Sequence, residues 1–155
     1  MTELAEDKRR YVAQRCAHFN LKKAVRATTQ RYDEALREVD LRISQFTLLV
    51  SSSLAGATSV GDLAEQLAMD RTTLSRNVQP LVKRGLLELR RSRADSRTRL
   101  VEITPAGDDL LARAYPLWEE AQREVTQTFD DAAYDNLLDD MRTLTALGTA
   151  EEGTR

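Results

Sequence analysis

The amino-acid sequence predicts a mainly α-helical domain carrying one small β-hairpin. Three observations support this. Apolar residues recur at steps of three and four over most of the chain. The period changes to two only between Leu87 and Ile103. Helix-capping residues and glycines stand at the offsets where helices begin and end. The chain of 155 residues has the size of one domain, and six helices are expected along it.

The first helix spans about residues 11–37, which contain neither Gly nor Pro. Its apolar positions are Val12, Cys16 and Phe19, then Leu21, Val25, Thr28, Tyr32, Leu36 and Val39. The two sets are out of phase, so this helix presents more than one apolar face. A second helix covers about residues 44–54, with Phe46, Leu49 and Val50 on its core side and Gly56 past its end. Ser59 caps a third, with Asp62 at the reciprocal capping position and Leu63, Ala64 and Leu67 as its stripe. Asp70 caps a fourth over residues 71–84, and Gly85 ends it. Two helices joined by so short a corner make a helix-turn-helix.

Beyond Gly85, Leu87 and Leu89 alternate with Glu88 and Arg90, and residues 98–103 alternate again after the polar stretch 92–97. This is a β-hairpin. Thr104-Pro105 then starts a helix with a capping hydroxyl and proline in the first position. Its two stripes are Leu110, Ala114, Leu117 and Ala121 beside Leu111, Tyr115, Trp118, Val125 and Phe129, and Pro116 is expected to kink it near Ala112. Asp130 caps the last helix, through Leu137, Leu138, Met141, Leu144 and Leu147. Residues 1–7 and 150–155 are expected to fray. Helix, helix and hairpin in this order define a winged helix-turn-helix. Residues 1–42 form an N-terminal dimerisation helix, 43–104 a DNA-binding region and 105–155 C-terminal dimerisation helices, all in one compact domain.

Composition excludes several classes. The longest apolar runs, such as Phe46-Thr47-Leu48-Leu49-Val50, fall far short of the ~20 residues that span a bilayer. The first eight residues are too polar and acidic for a secretory signal, and a cytoplasmic protein is expected. A single cysteine, Cys16, precludes an internal disulfide framework and a cysteine-only zinc site. There is no nucleophile elbow, phosphate-binding glycine loop, metal-ligand spacing or histidine-based triad, so neither an enzyme nor a cofactor is expected. The sole histidine, His18, reads as an ordinary helix or interface residue. The pairs Asp130-Asp131 and Asp139-Asp140 read as helix-start charges and a solvated face rather than a cation site.

The net charge of −2 conceals a marked asymmetry. Residues 1–70 are neutral, residues 71–99 carry a net +7 and residues 100–155 a net −9. A basic island of that kind suits phosphate binding, because neutralising phosphates releases condensed counterions. At ~100° per residue, Leu74, Val78 and Leu81 share one face of the 71–84 helix, and Thr72, Arg76, Gln79 and Lys83 lie opposite with Thr73 and Ser75 flanking. Those hydroxyl, amide and guanidinium groups read base edges and phosphates in a major groove, and Arg71 stands at the helix start. A merely solvated face would intersperse Glu with Lys, yet residues 71–84 contain no acid. On the hairpin, Arg91, Arg93, Arg97 and Arg99 are placed to enter a minor groove or meet phosphate, and Asp95 to hold a guanidinium by paired hydrogen bonds. The expected partner is double-stranded DNA.

The sequence resembles the multiple-antibiotic-resistance (MarR) type transcriptional regulators. The resemblance lies in Ile43-Ser44-Gln45-Phe46-Thr47-Leu48-Leu49, Val60-Gly61-Asp62-Leu63-Ala64-Glu65-Gln66-Leu67 and Asp70-Arg71-Thr72-Thr73-Leu74-Ser75-Arg76-Asn77-Val78. It continues in Leu81-Val82-Lys83-Arg84-Gly85-Leu86-Leu87, the wing motif Asp95-Ser96-Arg97 and Leu100-Val101-Glu102-Ile103-Thr104-Pro105-Ala106-Gly107. It covers nearly the whole chain. It implies a homodimer held by the first and last helices, with two winged lobes on a pseudo-palindromic operator, acting as a repressor. It also implies control by a small aromatic or phenolic effector or by thiol oxidation. An effector pocket would draw on Cys16, Phe46, Tyr115 and Trp118. Independently, the first and fifth helices carry more apolar surface than one small domain covers, which also points to a second copy. Cys16 is expected to be a buried interface residue, since Arg15 beside it does not share its helix face. Redox sensing through Cys16, and a winged-helix module for protein–protein contact, are the alternative readings.

Overall fold

The computed structural model describes residues 4–92, 94–95 and 97–149. The order of elements is α1 (Glu6–Arg15), α2 (Ala17–Ala35), a 3-10 turn (Leu36–Val39), α3 (Ile43–Ala55), β1 (Thr58–Ser59), α4 (Val60–Gln66), α5 (Arg71–Lys83), β2 (Leu87–Arg91), β3 (Arg99–Ile103), α6 (Pro105–Thr126) and α7 (Asp131–Thr149). The fold is the expected one, with seven described α-helices in place of six.

The additional helix comes from a break in the first predicted one. Cys16 adopts an extended backbone (φ −70°, ψ 114°), and the Asn20 side-chain amide donates to the carbonyls of Gln14 (3.2 Å) and Cys16 (2.9 Å). Asn20 thereby reaches the Gln14 carbonyl where α1 stops, and it adds to the bond that its own backbone amide gives the Cys16 carbonyl. The apolar pattern changes phase just past the break, between Phe19 and Leu21 in α2.

The other helix ends follow their side chains. The Asp33 carboxylate accepts the Ile43 amide (2.7 Å) at the start of α3, and Ser59 accepts the Asp62 amide (3.0 Å) at the start of α4. Thr104 caps α6 through the Gly107 amide (3.1 Å), and Asp130 takes the Ala133 amide (2.7 Å) at α7. Gly85 has φ +71°, a left-handed conformation that a side chain would strain. Pro116 lies inside α6, which runs unbroken from Pro105 to Thr126.

The sheet has the order β1-β3-β2 and is antiparallel throughout. β1 was not expected. Its two residues pair Thr58 with Val101 and Ser59 with Leu100, which ties the start of α4 to the wing. One buried cluster runs through the domain, from Leu36 and Leu41 through Phe46, Leu49, Leu63, Leu74, Val78 and Leu81 to Leu87, Val101, Leu110 and Ala114. At about 1.5–3 kcal/mol for each fully buried large side chain, this cluster locks the helix-turn-helix, the hairpin and α6 into one body.

Apolar side chains elsewhere stay uncovered. Tyr11, Val12, Phe19 and Val25 on α1 and α2 are exposed, as are Phe129 and, on α7, Met141, Leu144 and Leu147. α6 meets α2 through the Arg31–Glu124 ion pair and the Tyr32–Gln122 hydrogen bond, and Gln122 also donates to the Tyr134 hydroxyl (2.8 Å). Burial, aided by the nearby Tyr134, raises the Tyr32 pKa. No described helix is long and apolar enough to cross a membrane.

Candidate nucleic-acid interface

α5 is set by its cap. One Asp70 oxygen accepts the Thr73 amide (2.8 Å) and the other the Thr73 hydroxyl (2.5 Å). These bonds, the hydroxyl's first, hold the Asp70 carboxyl below its ordinary value, so it is ionised at neutral pH. Leu74, Val78 and Leu81 are buried, which fixes the helix rotation, and Thr72, Ser75, Arg76, Gln79 and Lys83 are left on the exposed face. Arg71 is exposed at the first position. Thr73 is also exposed, with its hydroxyl proton committed to Asp70.

The wing is ordered differently from the expectation. Asp95 accepts the Arg97 backbone amide (3.0 Å) and the Thr98 hydroxyl (2.8 Å), instead of gripping the Arg97 guanidinium. These contacts, the Arg97 amide first, lower the Asp95 pKa. The Thr98 amide donates to the Asp95 carbonyl (3.0 Å) and the Ser92 amide to the Thr98 carbonyl (2.9 Å). Asp95 therefore shapes the loop and leaves the Arg97 side chain to an outside partner. The reason is reach: a carboxylate two residues before an amide in a tight turn meets that amide before it meets a long, flexible guanidinium. Arg91 and Arg99 are register partners at the loop end of the hairpin, and both are exposed. Arg93 lies outside the described residues.

The ion pairs sort the basic island into two sets. Arg84 donates to the Asp40 carbonyl (2.6 Å) with the Asp40 carboxylate 3.6 Å away, and Arg90 pairs with Glu102 (2.9 Å). Arg71, Arg76, Lys83, Arg91, Arg97 and Arg99 make no ion pair among the described residues. The set without ion pairs occupies the outer face of α5 and the wing. The paired set joins elements within the domain. Charge counting alone could not make that division, because it depends on which carboxylates the fold brings near.

Of the four residues expected in an effector pocket, three come together. Phe46 of α3 stacks on Trp118 of α6 (ring centroids 5.8 Å, 18° between planes), and Tyr115 tilts against Trp118 (5.8 Å, 40°). Tyr115 donates to Glu119 (3.0 Å), and that bond, with the charge behind it, raises the tyrosine pKa. Cys16 stands apart from this stack, at the α1–α2 junction, and is partly exposed rather than buried within the protomer. Among the described residues, no group of three His, Cys, Asp or Glu is placed to hold a metal ion.

A capped helix-turn-helix whose second helix shows an acid-free polar face, flanked by a basic hairpin, defines a winged helix-turn-helix protein. The MarR family model matches residues 39–98. A DNA-bound crystal structure of the Mycobacterium tuberculosis transcriptional regulator MosR superposes with TM-score 0.76. It is 34% identical and aligns over 90% of this chain and 98% of its own. CouR of Rhodococcus jostii, bound to p-coumaroyl-CoA, superposes with TM-score 0.73 at 20% identity, over 85% of this chain and 93% of its own. The HTH-type transcriptional regulator Hpr of Exiguobacterium sibiricum is 29% identical over 92 residues, 59% of this chain. That match spans about half, 49%, of Hpr. The chain belongs to the MarR family of transcriptional regulators.

Proposed function

We propose that this chain is a homodimeric, non-catalytic repressor that works in the cytoplasm, binds a pseudo-palindromic operator and is released from it by a small effector. The observation that carries the reading is the segregation of cations. Six basic side chains without ion pairs line α5 and the wing, while the paired Arg84 and Arg90 serve the fold. Thr72, Ser75, Arg76 and Gln79 would read base edges in the major groove. Arg71, Lys83, Arg91, Arg97 and Arg99 would meet phosphate or the minor groove, and Asp95 keeps the wing loop in shape.

A second copy would cover the apolar residues that α1, α2 and α7 leave exposed. Residues 1–42 and 105–155 would then build the dimer around the DNA-binding region 43–104. Two-fold symmetry sets two α5 helices about one DNA turn, or a multiple of it, apart. The stack of Phe46, Trp118 and Tyr115 bridges α3 and α6, and an aromatic or phenolic effector inserted there would shift the DNA-binding region against the dimer-building helices.

The test is selection of bound duplexes from a random pool, repeated with aromatic acids and with peroxide. Paired half-sites about one turn apart, and loss of binding on adding an aromatic acid, are expected. Recovery of no preferred sequence would refute the regulator reading, and release by peroxide alone would replace the aromatic effector with Cys16 oxidation.

A further inference from the structure

Beside the base-reading face lies a second, smaller feature. A cleft of about 260 Å³ opens where α4, α5 and the wing meet, and Ser59, Gly61, Arg71, Arg97, Thr98 and Arg99 contribute to its lining. Three arginines contribute to its lining and no carboxylate residue does, and the Arg71 guanidinium lies in it over Gly61. Asp70, next to Arg71 in the chain, is committed to Thr73. Three like charges brought together cost free energy unless an anion joins them, and arginine forks fit phosphate oxygens two at a time.

Gly61 decides where one of these charges sits. A Cβ at position 61 would stand 3.1 Å from the Arg71 Nη2 and 3.3 Å from its Cζ and Nε. The guanidinium lies over the glycine, closely enough that a Cβ there would push it aside by a few tenths of an ångström. Gly61 is in the first turn of α4, where alanine would be the better helix former. The glycine is therefore unfavourable for the helix and favourable for the place of Arg71. The β1–β3 pairing, which holds Ser59 opposite Leu100, brings the wing arginines to the same cleft.

We infer that this cleft seats a single phosphate of the duplex backbone, held by Arg71, Arg97 and Arg99, with Gly61 as a positioning residue that acts through Arg71. The inference rests on the DNA-binding reading above. Together, α4, the start of α5 and the loop end of the wing would anchor one phosphate, and with it the angle at which α5 enters the groove.

The test measures affinity by fluorescence anisotropy for a selected duplex and a random one, across a potassium chloride series, with wild type, Gly61→Ala, Arg71→Ala and the double variant. Losing one phosphate contact removes about 0.9 from the salt slope, equivalent to about fivefold in affinity at 0.15 M salt. Arg71→Ala is expected to lose that much on both duplexes, and Gly61→Ala a part of it. The double variant should match Arg71→Ala, and the melting temperature of Gly61→Ala should hold or rise. An additional loss from Gly61→Ala in the Arg71→Ala background would overturn the positioning role. An unchanged salt slope in Arg71→Ala overturns the seat, and that variant alone decides should Gly61→Ala fold poorly. Inorganic phosphate exchanged for chloride at constant ionic strength should not release DNA. Release at low millimolar phosphate from wild type, but not from Arg71→Ala, would assign the cleft to free phosphate and overturn the seat as a DNA contact. A wild type that binds no duplex refutes the regulator reading and the seat together, whereas normal binding with an unmoved slope refutes the seat alone.

Discussion

Replacing Gly107 by alanine tests the joint between the wing and α6. A Cβ there would stand 2.2 Å from the Leu86 carbonyl oxygen and 2.7 Å from Cγ1 of Ile103. Ordinary contact begins near 3.4 Å, so the joint would have to open by more than an ångström. The Leu86 carbonyl cannot easily retreat, because it accepts the Thr104 amide (3.1 Å) and lies 3.2 Å from the Thr104 hydroxyl. Overpacking commonly costs about 1–3 kcal/mol, and a backbone obstacle places Gly107→Ala at about 3 kcal/mol, the upper end. With a urea m-value of about 2 kcal/mol/M, the midpoint should fall by about 1.5 M. The assay is urea unfolding at one fixed protein concentration, followed by far-ultraviolet circular dichroism and Trp118 fluorescence. Gly148→Ala is the control, since nothing stands within 4 Å of its added carbon. It should leave stability unchanged or raise it by up to about 1 kcal/mol. A loss below about 1 kcal/mol for Gly107→Ala would refute the argument that α6 is seated by direct contact with the root of the wing.

Three further outcomes are expected. Arg76→Ala should lose about 1–3 kcal/mol of operator affinity and relax preference at one base pair; equal losses on operator and random DNA would limit Arg76 to phosphate. Arg97→Ala should weaken binding to all duplexes, and unchanged affinity at physiological salt would remove the wing from the interface. Asp70→Ala should lower the melting temperature at neutral pH by uncapping α5. Because the folded pKa of Asp70 is depressed, its contribution is complete above the ordinary carboxylate value and drains as pH falls through the lower, folded one. The gap between wild type and Asp70→Ala should therefore close in acid, and a gap that persists there would show that the carboxylate is not what stabilises the cap.

Most of the fold is legible in the sequence because it rests on short-range chemistry. Asp70, Ser59 and Thr104 read as caps from their place before a periodic segment, and each accepts the amide three residues on. Leu74, Val78 and Leu81 read as the inner face of α5, and they are buried. The break at Cys16 is not legible in the same way, since the phase change falls after it, inside α2. It depends on whether the Asn20 side chain turns back to the α1 carbonyls, which spacing does not encode. β1 leaves no signal because two residues have no period, and they form a strand only where Val101 and Leu100 offer a partner edge.

The sequence by itself determined the order of elements, the acid-free face of α5 and the position of the basic island. Helical periodicity, caps and charge are properties of residues within about one turn of each other. Tertiary structure decided which of those charges bind the protein to itself. Arg84 is drawn to Asp40 and Arg90 to Glu102, across 44 and 12 positions of chain. Tertiary structure also set Gly61 of α4 under Arg71 of α5. These contacts form only when the chain has folded back on itself, and local pattern cannot supply the distances that decide them.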